Sequence, residues 1–392
     1  MERKYQIVLY GATGFTGRLC AQYFQKNYPD LNWAIAGRNQ NKLDDLKKEL
    51  DLKCDIFIAD SDDYEAIINF ANQTKVVLSA AGPFARYSTK VVEACVECKT
   101  HYTDITGENH WVKGLIDKYH DKAALDGTRI VPSCGYDSIP SDLGVYFSVT
   151  RSNKPVRHIT VYHSAKGGAS GGTTETMFTM GPLPKEMRDP FLLNPQGTVS
   201  EIQKNRSSDG FSVKPIPGTD AYSGMGLMAF ANTRVVRRSA ALFDLNQNSY
   251  GTDFTFKELG NYPSKAAARI TSFILVSAFL VIATPLRYLV RPFLPKPGDG
   301  PDKETRDSGW FRGLFIAELE DGNEKRFEIY GSGDPGYKST SKMVCESALT
   351  LAFSEDLPFG KEFGGVLTSA VGLGDPLISR LMKAGITFEE LS

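Results

Sequence analysis

A chain of 392 residues is too long for one ordinary hydrophobic core, so two domains, or one domain with a large insertion, are expected. Its 45 basic and 46 acidic residues nearly cancel and form no long block of one sign, which argues against a nucleic-acid-binding surface. With 41% hydrophobic and 11% aromatic residues the chain can bury a core, which excludes global disorder.

The six cysteines are scattered and make no disulfide framework. Met1-Glu2-Arg3-Lys4-Tyr5 runs into a strand-like segment without a secretory signal, so an intracellular, reducing setting is expected. Cys95-Val96-Glu97-Cys98 is a single C-x-x-C on a helix-like stretch with no second pair to complete a metal site, and reads as two thiols on a helix face.

Gln6-Ile7-Val8-Leu9-Tyr10 is an apolar run that stops at a glycine, as a buried parallel strand does. Gly11-Ala12-Thr13-Gly14-Phe15-Thr16-Gly17 follows, after which Leu19, Tyr23 and Phe24 recur at helical spacing. A glycine turn between strand and helix brings backbone amides and a helix N-terminus to a pyrophosphate, so Gly11, Thr13, Gly14, Phe15, Thr16 and Gly17 are assigned to cofactor binding. The spacing is G-x-x-G-x-x-G, and its place directly after the first strand makes it specific. A second strand, Trp33 to Ala36, ends at Gly37-Arg38. An NAD enzyme places a carboxylate there; Arg38, with no acid before Asp44, suits a 2′-phosphate, so the expected cofactor is NADP (NADPH). Lys42 opens a helical stretch to Leu50 and is either a second charge for that phosphate or a solvated side chain.

Asp55 to Ala59 is the third strand, and Asp60 beyond it is either an adenine-edge residue or a cap for the Tyr64 to Ala71 helix. Lys75 to Ala80 is the fourth strand, where Ala81-Gly82-Pro83 leaves room for the ribose on the nicotinamide side. His101 to Ile105 and Arg129 to Ser133 continue the alternation, which specifies an α/β fold with a Rossmann doubly wound parallel sheet over residues 1–150. Ligands bind beyond the carboxyl ends of such strands. That rule makes Asp104, Glu108, Tyr136 and Asp137 the candidates for proton transfer, each with a cap or core role as its alternative. Ser138 before Ile139-Pro140 reads as a helix N-cap, and Asp142 suits the same first turn. Phe84, Tyr87 and Tyr136 read as the lining of an apolar pocket.

From about Pro155 the rhythm changes. Val156 to Ser164 alternates as a strand and enters the glycine-rich Lys166 to Thr173, while Thr233 to Arg237 and Arg326 to Tyr330 read as further strands. Tyr162 and Lys166 are the only Tyr-x-x-x-Lys match, but a strand does not put both on one helix face as short-chain reductases require. Residues 151–339 are read as an α+β substrate domain. Residues 340–392, helical at Thr340 to Phe353 and Pro376 to Ala384, are read as a segment packing back on the Rossmann domain. Ile270 to Ala283 carries no charge and is flanked by Lys265, Arg269, Arg287 and Arg291. A core helix, a helix lying in a membrane surface and a full span all compete for it. The run falls short of the about 20 apolar residues that a span needs, and basic flanks suit anionic headgroups. Residues 264–294 are therefore read as touching a membrane, with an exposed loop following at Pro292, Pro295, Pro297, Gly298 and Gly300.

Taken together, Gly11 to Gly17, Trp33 to Arg38, Ala80 to Phe84, Tyr102 to Glu108, Cys134 to Gly144, Gly167 to Thr173 and Gly364 to Ala370 resemble the saccharopine dehydrogenase-like oxidoreductases, a group that includes the mycobacterial trans-acting enoyl reductases. The resemblance implies an NAD(P)-binding Rossmann domain followed by an α+β domain, association with membranes or lipid droplets in animal members, and enoyl reduction in glycolipid synthesis in mycobacterial ones. It carries over no established catalytic residue. Three functions remain open: an NADPH-dependent reductase of an apolar, lipid-linked C=C bond; a reductase of saccharopine-type imines; and a non-catalytic, nucleotide-binding membrane protein. The first is preferred, since no arginines beyond Arg38 and Arg86 flank the motifs to hold a dicarboxylate. A small lipid-like substrate is the expected partner, and the oligomeric state, a homodimer included, is left open.

Overall fold

The computed structural model describes residues 3–168, 188–293 and 300–391. Ala169 to Thr173 of the glycine-rich stretch and Leu294 to Asp299 of the proline-rich loop lie outside them. Strands β1 (Tyr5–Tyr10), β2 (Trp33–Gly37), β3 (Asp55–Ile58), β4 (Thr74–Ser79), β5 (His101–Asp104) and β6 (Arg129–Val131) alternate with helices α1 (Phe15–Asn27), α2 (Gln40–Glu49), α3 (Tyr64–Ala71), α4 (Phe84–Tyr87), α5 (Thr89–Cys98), α6 (Asn109–Leu125) and α7 (Ile139–Ser152). Later strands are β7 (Val156–Lys166), β8 (Tyr222–Gly224), β9 (Thr255–Tyr262), β10 (Trp310–Leu319), β11 (Glu324–Ser332), β12 (Gly365–Val366) and β13 (Ile386–Leu391).

The first sheet has the order β12-β6-β5-β4-β1-β2-β3, and all its pairings are parallel. The order reverses between β1 and β4, which opens a crevice at their carboxyl ends. One face is covered by α3, α5 and α6 through Tyr10, Phe70, Val77, Cys95 and Trp111. Cys95 is buried, and burial pushes its thiol pKa up; it and Cys98 are free thiols on α5, as the helix-face reading expects.

The second sheet, β13-β11-β10-β7-β9-β8, is antiparallel except for the β7–β9 pair. Its inner face lies on α7, where Gly144 makes the contact possible: a Cβ there would fall 2.2 Å from the Phe315 ring. Phe311, Phe315 and Phe327 thereby join Ile7, Leu9 and Leu143 in one core that runs across both sheets.

Two readings of local structure are corrected. Thr233 to Arg237 lies in a helix, Ala229–Leu245, not a strand. The β-branched pair Val235-Val236 suggested a strand, but i, i+3, i+4 spacing gathers Arg234, Arg237 and Arg238, all buried, onto protein acceptors. Asp209 and the carbonyls of Arg188, Pro190, Leu193 and Val366 receive them. The last fifty residues are likewise not all helix, because β12 extends the first sheet and β13 the second. The Thr340–Phe353 helix packs on α1, β1 and β4 of the Rossmann half. Buried Arg129 holds the returning chain by donating to the carbonyls of Gly372, Pro358 and Gly360.

The apolar segment forms a helix, Lys265–Ile282, of which only Ala268 and Ser272 are buried. Phe273 is 74% exposed, Leu280 62% and Ile270 61%, which removes the core-helix reading.

Candidate active site

At the head of α1 the three glycines have different jobs. Gly11 has φ +79°, and a Cβ on it would sit 2.8 Å from the Ala81 amide nitrogen, so the loop after β1 rests directly on the loop after β4. A Cβ on Gly17 would fall 2.2 Å from the Gly11 carbonyl oxygen. Gly14 is different: it is exposed, and its only close neighbour is that same oxygen at 3.3 Å. It stands at the N-cap of α1 without a side-chain cap, so first-turn amides, Phe15 and Thr16 among them, are left to an outside acceptor. A diphosphate fits this cradle.

Arg38 follows β2, Lys42 lies in α2 and Asp60 follows β3. Arg38 and Lys42 are exposed, and neither has an ion pair among the described residues. Asp60 accepts from the Asp62 amide at 3.0 Å in a tight turn, and the capping of α3 falls to Asp63 instead. After β4, Ala81, Gly82 and Pro83 lead into α4, whose Phe84 is buried against Trp111.

Two of the four proton-transfer candidates take up several hydrogen bonds within the protein. Both carboxylate oxygens of buried Glu108 accept amides at the start of α4, from Phe84 at 2.7 Å and Ala85 at 3.1 Å. Asp104 is buried and accepts from Thr106 N and Ser133 N at 2.9 Å each and from the Tyr102 hydroxyl at 2.9 Å. Burial raises its pKa to about 7. Glu108 thus anchors the Gly82 loop, and Asp104 braces the ends of β5 and β6. Ser138 stands at the N-cap position of α7 and Asp142 in its first turn, as expected, but neither side chain bonds back to the helix. Ser138 donates to Asn232 Oδ1 at 3.4 Å, and Asp142 accepts from Ser369 Oγ and Ala370 N at 2.8 Å each.

Tyr136 and Asp137, in the loop between β6 and α7, are half-buried. Tyr136 packs on Phe311 at 5.1 Å and meets the edge of His163 at 6.4 Å. Half-buried Asp137 makes no hydrogen bond among the described residues, and its Oδ2 lies 3.6 Å from where a Cβ on Gly107 would sit. Burial raises its pKa to about 6.

Behind them is a cluster that sequence reasoning missed. Ser141 Oγ lies 2.9 Å from His163 Nε2 and 2.7 Å from Glu258 Oε2, while Asn232 donates to Glu258 Oε1 at 2.9 Å. One hydroxyl proton cannot serve two acceptors, so His163 or Glu258 must itself carry a proton. Burial acts in one direction on both, raising Glu258 to about 7 and lowering His163 to about 4, so a neutral cluster with the proton on Glu258 is favoured below neutrality. These residues lie on α7, β7, β9 and the Ala229–Leu245 helix. No spacing in the sequence links them.

Residues 7–131 match the family model described as the saccharopine dehydrogenase NADP binding domain. A putative trans-acting enoyl reductase of Mycobacterium tuberculosis is 34% identical to the chain, with 99% of this chain and 97% of that protein aligned. A trans-acting enoyl reductase of Mycobacterium ulcerans is 31% identical, with 98% and 97% aligned. Among solved structures, an apo saccharopine dehydrogenase (L-Glu forming) from Saccharomyces cerevisiae superposes with a TM-score of 0.56 at 13% identity, covering 99% of this chain and all of that one.

The glycine geometry separates two substitutions. Gly14→Val should keep the wild-type melting temperature and lose NADPH binding in calorimetry, whereas Gly17→Ala should lower the melting temperature because its Cβ meets backbone. Normal NADPH affinity in Gly14→Val would reduce the loop to a plain turn.

Buried groups also set a pH dependence of stability. Asp104, Asp137, Asp142 and Glu258 have raised folded pKa values, to about 7, 6, 6 and 7, so the stability they confer is complete below their unfolded values and lost as pH rises through 6 to 7. His101 and His163 are lowered to about 4, so their contribution is present above their unfolded value and lost as pH falls toward 4. Four such carboxyls outweigh two histidines between about pH 5 and 7, so melting temperature should fall as pH rises through that range, and Glu258→Gln should lessen the fall. A melting temperature that climbs steadily from pH 5 to 8 contradicts this balance.

Proposed function

Since the chain belongs to the saccharopine dehydrogenase-like oxidoreductases, the family of the trans-acting enoyl reductases, and is an NADP-dependent oxidoreductase with a Rossmann NADP-binding domain, we propose that it reduces the C=C bond of an apolar enoyl substrate. The observation that carries this reading is the make-up of the wall at Tyr136. Half-buried Tyr136, backed by the fully buried Phe311, precedes an acid without a hydrogen bond among the described residues, Asp137. The three arginines of the Ala229–Leu245 helix, which could hold the carboxylates of a saccharopine-type imine, are already bound to Asp209 and main-chain carbonyls. An apolar chain loses little on entering such a wall, whereas a dicarboxylate would need paired cations.

Bound NADPH supplies a hydride to such a reaction. Glycine-loop amides and Arg38 hold its phosphates, and the Tyr136–Phe311 pair keeps water from the substrate. Asp137 holds the proton that the α-carbon takes once the β-carbon has received the hydride. A carboxyl raised to about 6 retains enough proton near neutrality to act as this acid.

NADPH oxidation assayed against enoyl thioesters and saccharopine-type imines should show turnover of the enoyl compound alone. Asp137→Asn should lower kcat by about 100-fold with unchanged NADPH affinity. Turnover of the imine and not the enoyl thioester would overturn the assignment.

The exposed Lys265–Ile282 helix supports a membrane or lipid-droplet surface as the place where such a substrate is met. Phe273, Ile274 and Leu280 present apolar area, with Lys265 and Arg269 at one end and Arg287 and Arg291 beyond the other. The triple change Phe273→Ser, Ile274→Ser and Leu280→Ser should abolish flotation with anionic vesicles while leaving thermal melting unchanged, because all three side chains are exposed. Retained flotation, or a large fall in melting temperature, would count against a surface-binding helix.

A further inference from the structure

The chain that follows the apolar helix returns to the cofactor loop. Gly300 lies flat on the ring of Phe15, where a Cβ would come within 2.3 Å of it. A short helix, Lys303–Ser308, then places the Arg306 guanidinium 5.6 Å from the centre of the same ring, and Tyr337 closes a third side edge-on at 5.2 Å. The turn is tied down at both ends: Arg306 Nη1 donates to Pro301 O at 2.5 Å, and the Asp334 amide donates to Arg306 O at 2.8 Å. Phe15 is the first residue of α1, so this second-domain arginine is held at the end of the helix whose amides lack a cap.

Arg306 is half-buried and has no ion pair among the described residues. Asp334 and Asp302 feel its charge but spend their hydrogen bonds on amides: Asp334 accepts from Gly168 N and Tyr337 N, and Asp302 caps the short helix through Thr305 N. A guanidinium has five N–H donors in a fixed fork, and the Pro301 carbonyl uses one. A half-buried cation beside open amides matches a dianionic phosphate bridge better than any protein group around it.

We propose that Arg306 is a phosphate-binding residue for NADPH, a guanidinium carried by the second domain that grips the pyrophosphate opposite the α1 amides. The proposal rests on the NADP reading and assigns the anion cradle to both domains. Because the pyrophosphate is common to both dinucleotides, Arg306 adds affinity without choosing between them, in contrast to Arg38 at the 2′-phosphate.

The test is calorimetric titration of NADPH and NADH into the full chain and its Arg306→Gln, Arg306→Lys and Arg38→Gln variants, with thermal melting as the check on folding. Arg306→Gln should weaken both cofactors by about 10- to 100-fold and keep their ratio. Arg306→Lys, which keeps the charge and loses the fork, should recover part of that loss and serves as the reading if Arg306→Gln melts early. Arg38→Gln should weaken NADPH alone. Unchanged affinities in the Arg306 variants, or a loss confined to NADPH, would overturn the assignment. A wild-type chain that binds neither dinucleotide would instead remove the NADP reading beneath it.

Discussion

The close meeting of three backbones at the head of α1 is the constraint on which the site depends. Gly17 touches the Gly11 carbonyl, Gly11 touches the Ala81 amide, and neither contact leaves room for a Cβ. The glycine loop is therefore set by its neighbours, and the amides of α1 point at a fixed place in the crevice between β1 and β4. Glu108 extends the same order by capping α4 and fixing the Gly82 loop, and Asp104 does so by joining β5 to β6. Carboxylates that looked like reagents thus hold the wall against which a reaction could take place.

The second domain is joined to this frame through packing and through buried polar groups. Gly144 lets α7 rest on the second sheet, and a single apolar core crosses from one sheet to the other. Carboxylates at that junction are bonded within the protein: Glu258 by Ser141 and Asn232, and Asp142 by Ser369 and Ala370. Removing one partner from such a group leaves a buried charge or donor unpaired, which costs more than the contact contributes. The junction is thereby specific, and the position of Tyr136 and Asp137 relative to the glycine loop follows from it.

How much of this could be read from the sequence depended on how local the signal was. The Rossmann half was legible because short apolar strands alternate with helices and the glycines follow the first strand at once. Arg38 was legible for the same reason, since a fixed distance along the chain carries it to the end of β2. The Ser141–His163–Glu258 cluster was not, because its members meet only when α7, β7 and β9 pack together. Thr233 to Arg237 misled because a β-branched pair imitates a strand when the acceptors of its arginines lie elsewhere in the chain. For Glu108 and Asp104 the sequence pointed to strand ends but not to their hydrogen-bond partners, which lie in other loops.

Two features point the same way along the chain. An apolar helix stands outside the core, and the segment after it packs on Phe15 at the cofactor loop. On the proposed reading, the segment after the helix adds a second-domain residue to the cofactor grip. The most direct test of this account is a crystal structure of the chain with NADP+ bound. The account predicts the nicotinamide ring beyond Gly82, with one face toward Tyr136 and Asp137 and the pyrophosphate on the α1 amides. A nicotinamide ring directed away from that wall, or a pyrophosphate without contact to the glycine loop, would contradict it.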